Sequence, residues 1–223
     1  MRSTSFFLLT ILCLALTASA QIYSEGPIDG NNNGFYISGP NFPNPEGSFQ
    51  DISNGFVAAD TLILNTLEFG EWILSGLTPS SISYEIGTSA FGADLESWTV
   101  AQNASNSHLL FTNGYGYDVY DVTVGIVCCL TMRFGGTYWV SLSNANDTSN
   151  SGTEGWDIPD GGLGGPATCN FRQSGTNFGD CGLGGESFTI NGYLGWAPEP
   201  SSILLFGSGI LGIAGILRRR LNR

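Results

Sequence analysis

Cleaving a glycosidic bond requires two carboxyl groups facing each other across a cleft, one to give a proton and one to act as base or nucleophile. Glu68 with Glu71, and Glu154 with Asp157, are the candidate pairs. Acids are abundant in this chain, so such pairs also arise without a catalytic purpose. Binding a sugar requires less: flat rings to stack on its C–H faces, and short polar side chains for its hydroxyls. Trp139, Tyr115, Tyr117 and Trp156, the last followed by Asp157, are the candidate ligand residues. The competing use of each ring is to fill a core. Asp29, Asn31 and Asn33 lie in a D-x-N-x-N-G run, the opening half of a calcium loop, but Pro40 stands where that loop carries its bidentate glutamate. A plain Asn-Gly turn explains the same residues. No cofactor is implied, with calcium the one ion left open. His108 is the single histidine, set beside Leu109, Leu110 and Phe111 in a strand-like run, so a Ser-His-Asp triad would depend on it. Neither G-x-S-x-G nor H-E-x-x-H occurs. The expectation is a non-enzyme.

Cysteine adds a different chemistry. Apart from Cys13 near the N-terminus, the chain has Cys128, Cys129, Cys169 and Cys181. An even number in an exported chain favours disulfides. Cys169 and Cys181 bracket one loop and are the natural pair; Cys128 and Cys129, adjacent on a strand and pointing to opposite faces, offer them alternative partners. A zinc site would need C-x-x-C or a nearby histidine, and has neither.

Charge narrows the partners. There is no lysine, and of seven arginines only Arg133 and Arg172 lie between residues 21 and 196. Against them stand 18 of the 19 acids, which puts this stretch near −16. Such a surface repels phosphate backbones and anionic headgroups, and it suits divalent cations or neutral polymers. Nucleic acid is excluded as a partner.

The elements that must position these residues are short strands. Gly, Asn, Pro and Ser punctuate the chain every eight to twelve residues. Between them lie β-favouring runs at 56–64, 67–74, 82–86, 97–101, 108–112, 117–127, 137–143 and 187–190, and no amphipathic helix. Asn113-Gly114 marks a tight turn. Tyr115, Tyr117 and Val119 share one phase and Tyr120, Val122, Val124 and Ile126 the other, so a β-bulge is predicted at 119–120. Residues 143–186, rich in Asn, Gly and Ser, read as long surface loops. The fold predicted is all-β, an antiparallel, jelly-roll-like β-sandwich spanning residues 21–196.

The two ends carry sorting signals. Residues 1–20 show a cationic start at Arg2, an apolar run, and Ala18-Ser19-Ala20 before Gln21, the order of a secretory leader cleaved after Ala20. Residues 197–223 place Pro198, Glu199 and Pro200 before a Gly-interrupted apolar run at 203–217 and the cluster Arg218, Arg219, Arg220. The run spans only about 22 Å as a helix, a marginal transmembrane segment whose arginines stay cytoplasmic. The Pro-Glu-Pro triplet, apolar run and arginine cluster, in that order at the chain end, resemble the PEP-CTERM sorting tail, which also goes by the label ice-binding protein C-terminal domain. The resemblance implies an exosortase and the secretion machinery as partners, and a Gram-negative host that makes exopolysaccharide. It implies an inner-membrane intermediate held by the C-terminal helix, then delivery to the cell surface or matrix. The reading is an exported surface or biofilm-matrix protein associated with exopolysaccharide. The alternatives are a carbohydrate-active enzyme or a calcium-dependent carbohydrate-binding module. No Thr-x-Thr ladder of the kind expected for ice binding is present.

Overall fold

The alternation of apolar and polar residues, broken by glycine and asparagine turns, folds into fourteen strands in the computed structural model, which describes residues 20–39, 50–127, 130–158, 169–181 and 185–194. In chain order these are β1 (Ala20–Ser24), β2 (Asn32–Tyr36), β3 (Gln50–Val57), β4 (Leu62–Leu74), β5 (Pro79–Gly87), β6 (Glu96–Ala101) and β7 (Ser107–Thr112). There follow β8 (Tyr117–Gly125), β9 (Thr131–Met132), β10 (Thr137–Asp147), β11 (Gly155–Ile158), β12 (Cys169–Gln173), β13 (Thr176–Asp180) and β14 (Phe188–Leu194). The chain divides into two units, Met1–Tyr193 and Leu194–Arg223. Beyond Leu194 the second lies outside the described residues, as do the leader through Ser19, the Pro-Glu-Pro motif and Cys128–Cys129.

The strands make two sheets, and every strand pairing described is antiparallel. One sheet is organised on the long β4, which pairs along one edge with β8 and β9, and β8 pairs in turn with β7. It also lies within the path β1-β14-β4-β11-β2. The second sheet runs β13-β12-β3-β10-β5-β6. Their facing sides share one core: Leu67, Phe69 and Ile73 of β4 with Val122 and Val124 of β8, against Ile52 and Phe56 of β3, Ile82, Tyr84 and Ile86 of β5, and Val140 and Leu142 of β10. Each such side chain contributes about 1.5–3 kcal/mol by leaving water. Tyr23, Phe56 and Phe188 close one end, with ring centroids 4.7–5.8 Å apart.

Three local expectations are corrected. Run 56–64 is not one strand: β3 ends at Val57 and β4 begins at Leu62, because Ala58 pairs with Gly135 and Gly136 while Asp60 Oδ1 accepts the Thr61 N–H. The phase slip at 119–120 leaves β8 regular against β4, from Thr66↔Gly125 to Leu74↔Tyr117. The irregularity falls on its other neighbour: Leu109 pairs with Tyr120 and Phe111 with Val119, so the extra residue is Leu110 of β7. Region 143–186 is not all loop, since β10 continues to Asp147 and β11, β12 and β13 follow. β12 pairs with β3 and β13 with β12, and this backbone pairing supplies the order that side-chain patterning does not advertise.

Candidate functional site

On β4 the inward alternation Leu67, Phe69, Glu71, Ile73 places a carboxylate where a hydrophobe is expected. β11 lies beside it, with Trp156 opposite Glu71. Glu154 is two residues before the buried Trp156 and shares its inward phase. Glu71 and Glu154 are both 0% exposed. Gln102, just past β6, donates from Nε2 to Glu71 Oε2. Nothing donates to Glu71 Oε1 or to either oxygen of Glu154, and Gln102 Oε1 is also enclosed and unpartnered. At the end of β10, buried Asp147 adds a third carboxyl group. Its Oδ1 accepts the Ser149 N–H at 2.6 Å and O–H at 2.8 Å, and its Oδ2 accepts the Ser151 hydroxyl.

These surroundings separate the three acids. Burial pushes Glu154 up to about 9, with Asp147 and Glu71 adding repulsion. Burial likewise pushes Glu71 up to about 8; the Gln102 amide works against the shift and Asp147 with it. Burial also opposes ionisation of Asp147, but its serine hydrogen bonds outweigh that and hold it below the usual carboxylate range. Among the described residues no cation relieves the group. Arg172 is committed to Asp51 at 2.6 Å and lies over the Phe91 ring, while Arg133 is exposed. An open cleft of about 620 Å³, lined by Thr78, Ser80, Ser107, His108, Tyr120 and Thr148 among others, has Gln102 in its wall. Gln102 therefore stands between solvent and Glu71.

The two proposed acid pairs do not form. A separation of three on a strand puts residues on opposite faces. Glu71 points inward while Glu68 is half-buried near Asn191 and the Asp121 charge. Glu154 points inward and Asp157 outward. The juxtaposition the fold makes is Glu71 of β4 with Glu154 just before β11, segments far apart in sequence, and neither is open to a polysaccharide. His108 is exposed on β7 opposite Asp121.

On the outer side of the same sheet, Asp157 is also 0% exposed, yet it is surrounded by donors. Its Oδ1 accepts from Trp72 Nε1 at 2.6 Å and Gly30 N at 3.1 Å, and its Oδ2 from Asp29 N and Ser187 Oγ, each at 3.1 Å. The segment around Asp29 is thereby clasped over the sheet. Gly70 makes room, since a Cβ there would lie 2.6 Å from Asp157 Cβ and 2.8 Å from Ile28 Cγ2. Asp157 is thus an anchor rather than a sugar ligand. Trp156 is also corrected: it is 0% exposed, its Nε1 donates to Ser187 O, and its ring packs on Phe69 and Phe188. Of the remaining rings, Trp139 is half-buried across Gly55. Tyr115, 59% exposed, stacks on Trp72 at 6.1 Å, with half-buried Tyr117 at 5.8 Å from the same indole. Trp72, which links this patch to Asp157, was not singled out from sequence.

Asp29 Oδ1 accepts the Asn31 N–H in an Asx turn, and the side chain of Asn33 lies outside the described residues. Cys169 and Cys181 form a disulfide with Cα atoms 5.4 Å apart. With Glu186 they are the one cluster of three Cys, His, Asp or Glu ligand atoms within 4.8 Å among the described residues, and the disulfide consumes both thiols. Ala20 and Gln21 lie in β1, opposite Gly192 and Asn191. Ala18 is outside the described residues, as is the run 203–217. No helix among the described residues is long and apolar enough to cross a membrane.

Comparison with known families bears on the C-terminal end. Residues 197–220 match the PEP-CTERM protein-sorting motif. The match covers Pro198, Glu199, Pro200 and Arg218–Arg220. A PEP-CTERM tail implies recognition by an exosortase, export, and a membrane-anchored intermediate. No curated protein and no solved structure matches the chain.

Proposed function

We propose that this protein is a non-enzymatic component of the cell surface or extracellular matrix, delivered by an exosortase and associated with exopolysaccharide. The PEP-CTERM motif at residues 197–220 is the observation that carries the reading. Two features of the ectodomain support the polysaccharide part. Its strong acidity disfavours anionic partners and leaves neutral polymers acceptable. Tyr115, stacked on a fixed Trp72, presents an open ring of the kind that packs on sugar faces. A jelly-roll-like wrapping of the two antiparallel sheets is the finer fold reading, and the open face around Tyr115 is its binding surface. The destination after cleavage is the matrix of a Gram-negative bacterium.

The test compares the full chain with one lacking residues 197–223, each produced with and without an exosortase in an exopolysaccharide-forming host. The full chain is expected to lose its tail and stay with the matrix only where the exosortase is present, and the truncated chain is expected to appear in the medium. Equal size and equal retention in both hosts would overturn the reading. Retention that survives Tyr115→Ala would leave the sorting intact and remove the stacking surface from it.

A further inference from the structure

Buried carboxylates are retained in folded proteins when a cation, a proton or several donors accompany them. Glu154 has no donor to either oxygen although it is 0% exposed. Glu71 has one donor on Oε2, and its Oε1 has none. The enclosed Gln102 Oε1 is an acceptor without a donor as well. The unmet groups here are all oxygens, and all lone-pair bearers. The nearest further acid, Asp147, deepens the negative potential while its own oxygens are occupied by Ser149 and Ser151. The chain has no lysine, and among the described residues Arg172 is committed to Asp51 and Arg133 is exposed, so no described side chain supplies a positive charge here.

We propose that Glu71 and Glu154, with the amide oxygen of Gln102, form an interior site for one calcium-like divalent cation, entered from the cleft behind Gln102. The donor set fixes the chemical class. Carboxylate and amide oxygens, with no nitrogen or sulfur, are hard ligands that select calcium or magnesium over zinc or copper. Magnesium keeps several waters in a strict octahedron, whereas calcium accepts irregular sets of protein oxygens, which fits a site this enclosed. Glu71, Asp147 and Glu154 do not bring one oxygen each within 4.8 Å of one another. Asp147 touches Glu154 but spends its own oxygens on Ser149 and Ser151, so the proposed inner set is the two glutamates and the Gln102 oxygen, with Asp147 acting through its field. The ligands come from β4, the end of β6 and the approach to β11, so a bound ion cross-links both sheets. This site is separate from the Asp29–Asn31 turn, whose backbone is held by Asp157 on the opposite face.

Calcium titration by calorimetry of the full chain, stripped with chelator and held in mild detergent, tests the assignment. One saturable calcium per chain is expected, with a rise in unfolding temperature on binding. Glu154→Gln keeps the shape and removes the charge, so it is expected to fold without calcium and to bind the ion about 100-fold more weakly. Asp29→Asn is expected to bind as the parent does. If Glu154→Gln does not fold, terbium luminescence of the unaltered chain replaces it. Trp72 follows Glu71 and Trp156 lies two residues past Glu154, so indole-sensitised emission that calcium displaces supports the site. Absence of saturable binding and of sensitised emission overturns it, as does unchanged calcium affinity in folded Glu154→Gln.

Discussion

Asp157, in β11, and Glu154, just before that strand, stand three residues apart, and both are fully buried, but they differ in every other respect. Asp157 faces outward into four donors from the Asp29–Gly30 backbone, Trp72 and Ser187. Glu154 faces inward against another carboxyl group, Asp147, and no N–H or hydroxyl donates to either of its oxygens. Glu186 repeats the inward pattern beside Ser187, which points out to Asp157. Burial alone therefore says little about a carboxylate's purpose. The one with a full set of donors holds the fold together, and the one without them is the place for a cation from solution.

The contrast breaks most visibly at Asp157. Asp157→Ala leaves the Trp72 indole and two backbone N–H groups buried without an acceptor, and is expected to destabilise the protein by about 3–5 kcal/mol. Chemical denaturation at fixed calcium reads this, and Asp157→Asn, which keeps one acceptor oxygen, is expected to lose less. Gly70→Ala pushes a methyl group into Asp157 and Ile28, with an expected cost of about 2 kcal/mol in the same assay.

Glu186 sharpens the inward side. Burial pushes it up to about 8, with Glu25 adding to the shift and the Asn54 amide opposing it. A carboxyl raised in the folded state stabilises fully below its unfolded value, because the unfolded chain there holds its proton too. Above that value the unfolded chain ionises first, so stability falls until the folded group also ionises. The expected loss from this residue is up to about 1.4 kcal/mol per pH unit between about pH 4.5 and 8. Glu186→Gln should flatten that slope in denaturant melts taken across the range, and an unchanged slope would remove Glu186 from the account. The smallest effect is expected at Tyr115. Tyr115→Ala removes an exposed ring, so stability is expected to change by less than about 1 kcal/mol, while retention on exopolysaccharide falls in a co-sedimentation assay.

Much of the architecture was legible because strand alternation is a local signal. The runs at 82–86, 97–101, 108–112 and 117–127 fall within or overlap β5 through β8. The break after Val57 was hidden because Ala58, Ala59, Asp60 and Thr61 include no glycine or proline, and it is set by Ala58 pairing with Gly135 and Gly136. β12 and β13 were hidden because their order comes from pairing, β12 on β3 and β13 on β12. At the candidate site the individual acids were legible and their partnership was not. Glu71 and Glu154 were each matched with a neighbour in sequence, whereas strand periodicity sends those neighbours to the other face. Only the β4–β11 pairing, a long-range contact, brings Glu71 and Glu154 together. Trp72 carried no signal because its value depends on Asp157 below it and Tyr115 above.

The most direct test of the difference between the two carboxylates is a crystal structure of the protein grown with calcium and then soaked with terbium, read by anomalous scattering. A single interior peak about 2.3–2.6 Å from Glu71 Oε1 and from an oxygen of Glu154, with none at Asp157, is the result this account predicts. An interior without a peak, in which Glu154 instead shares a proton with Asp147, would contradict it.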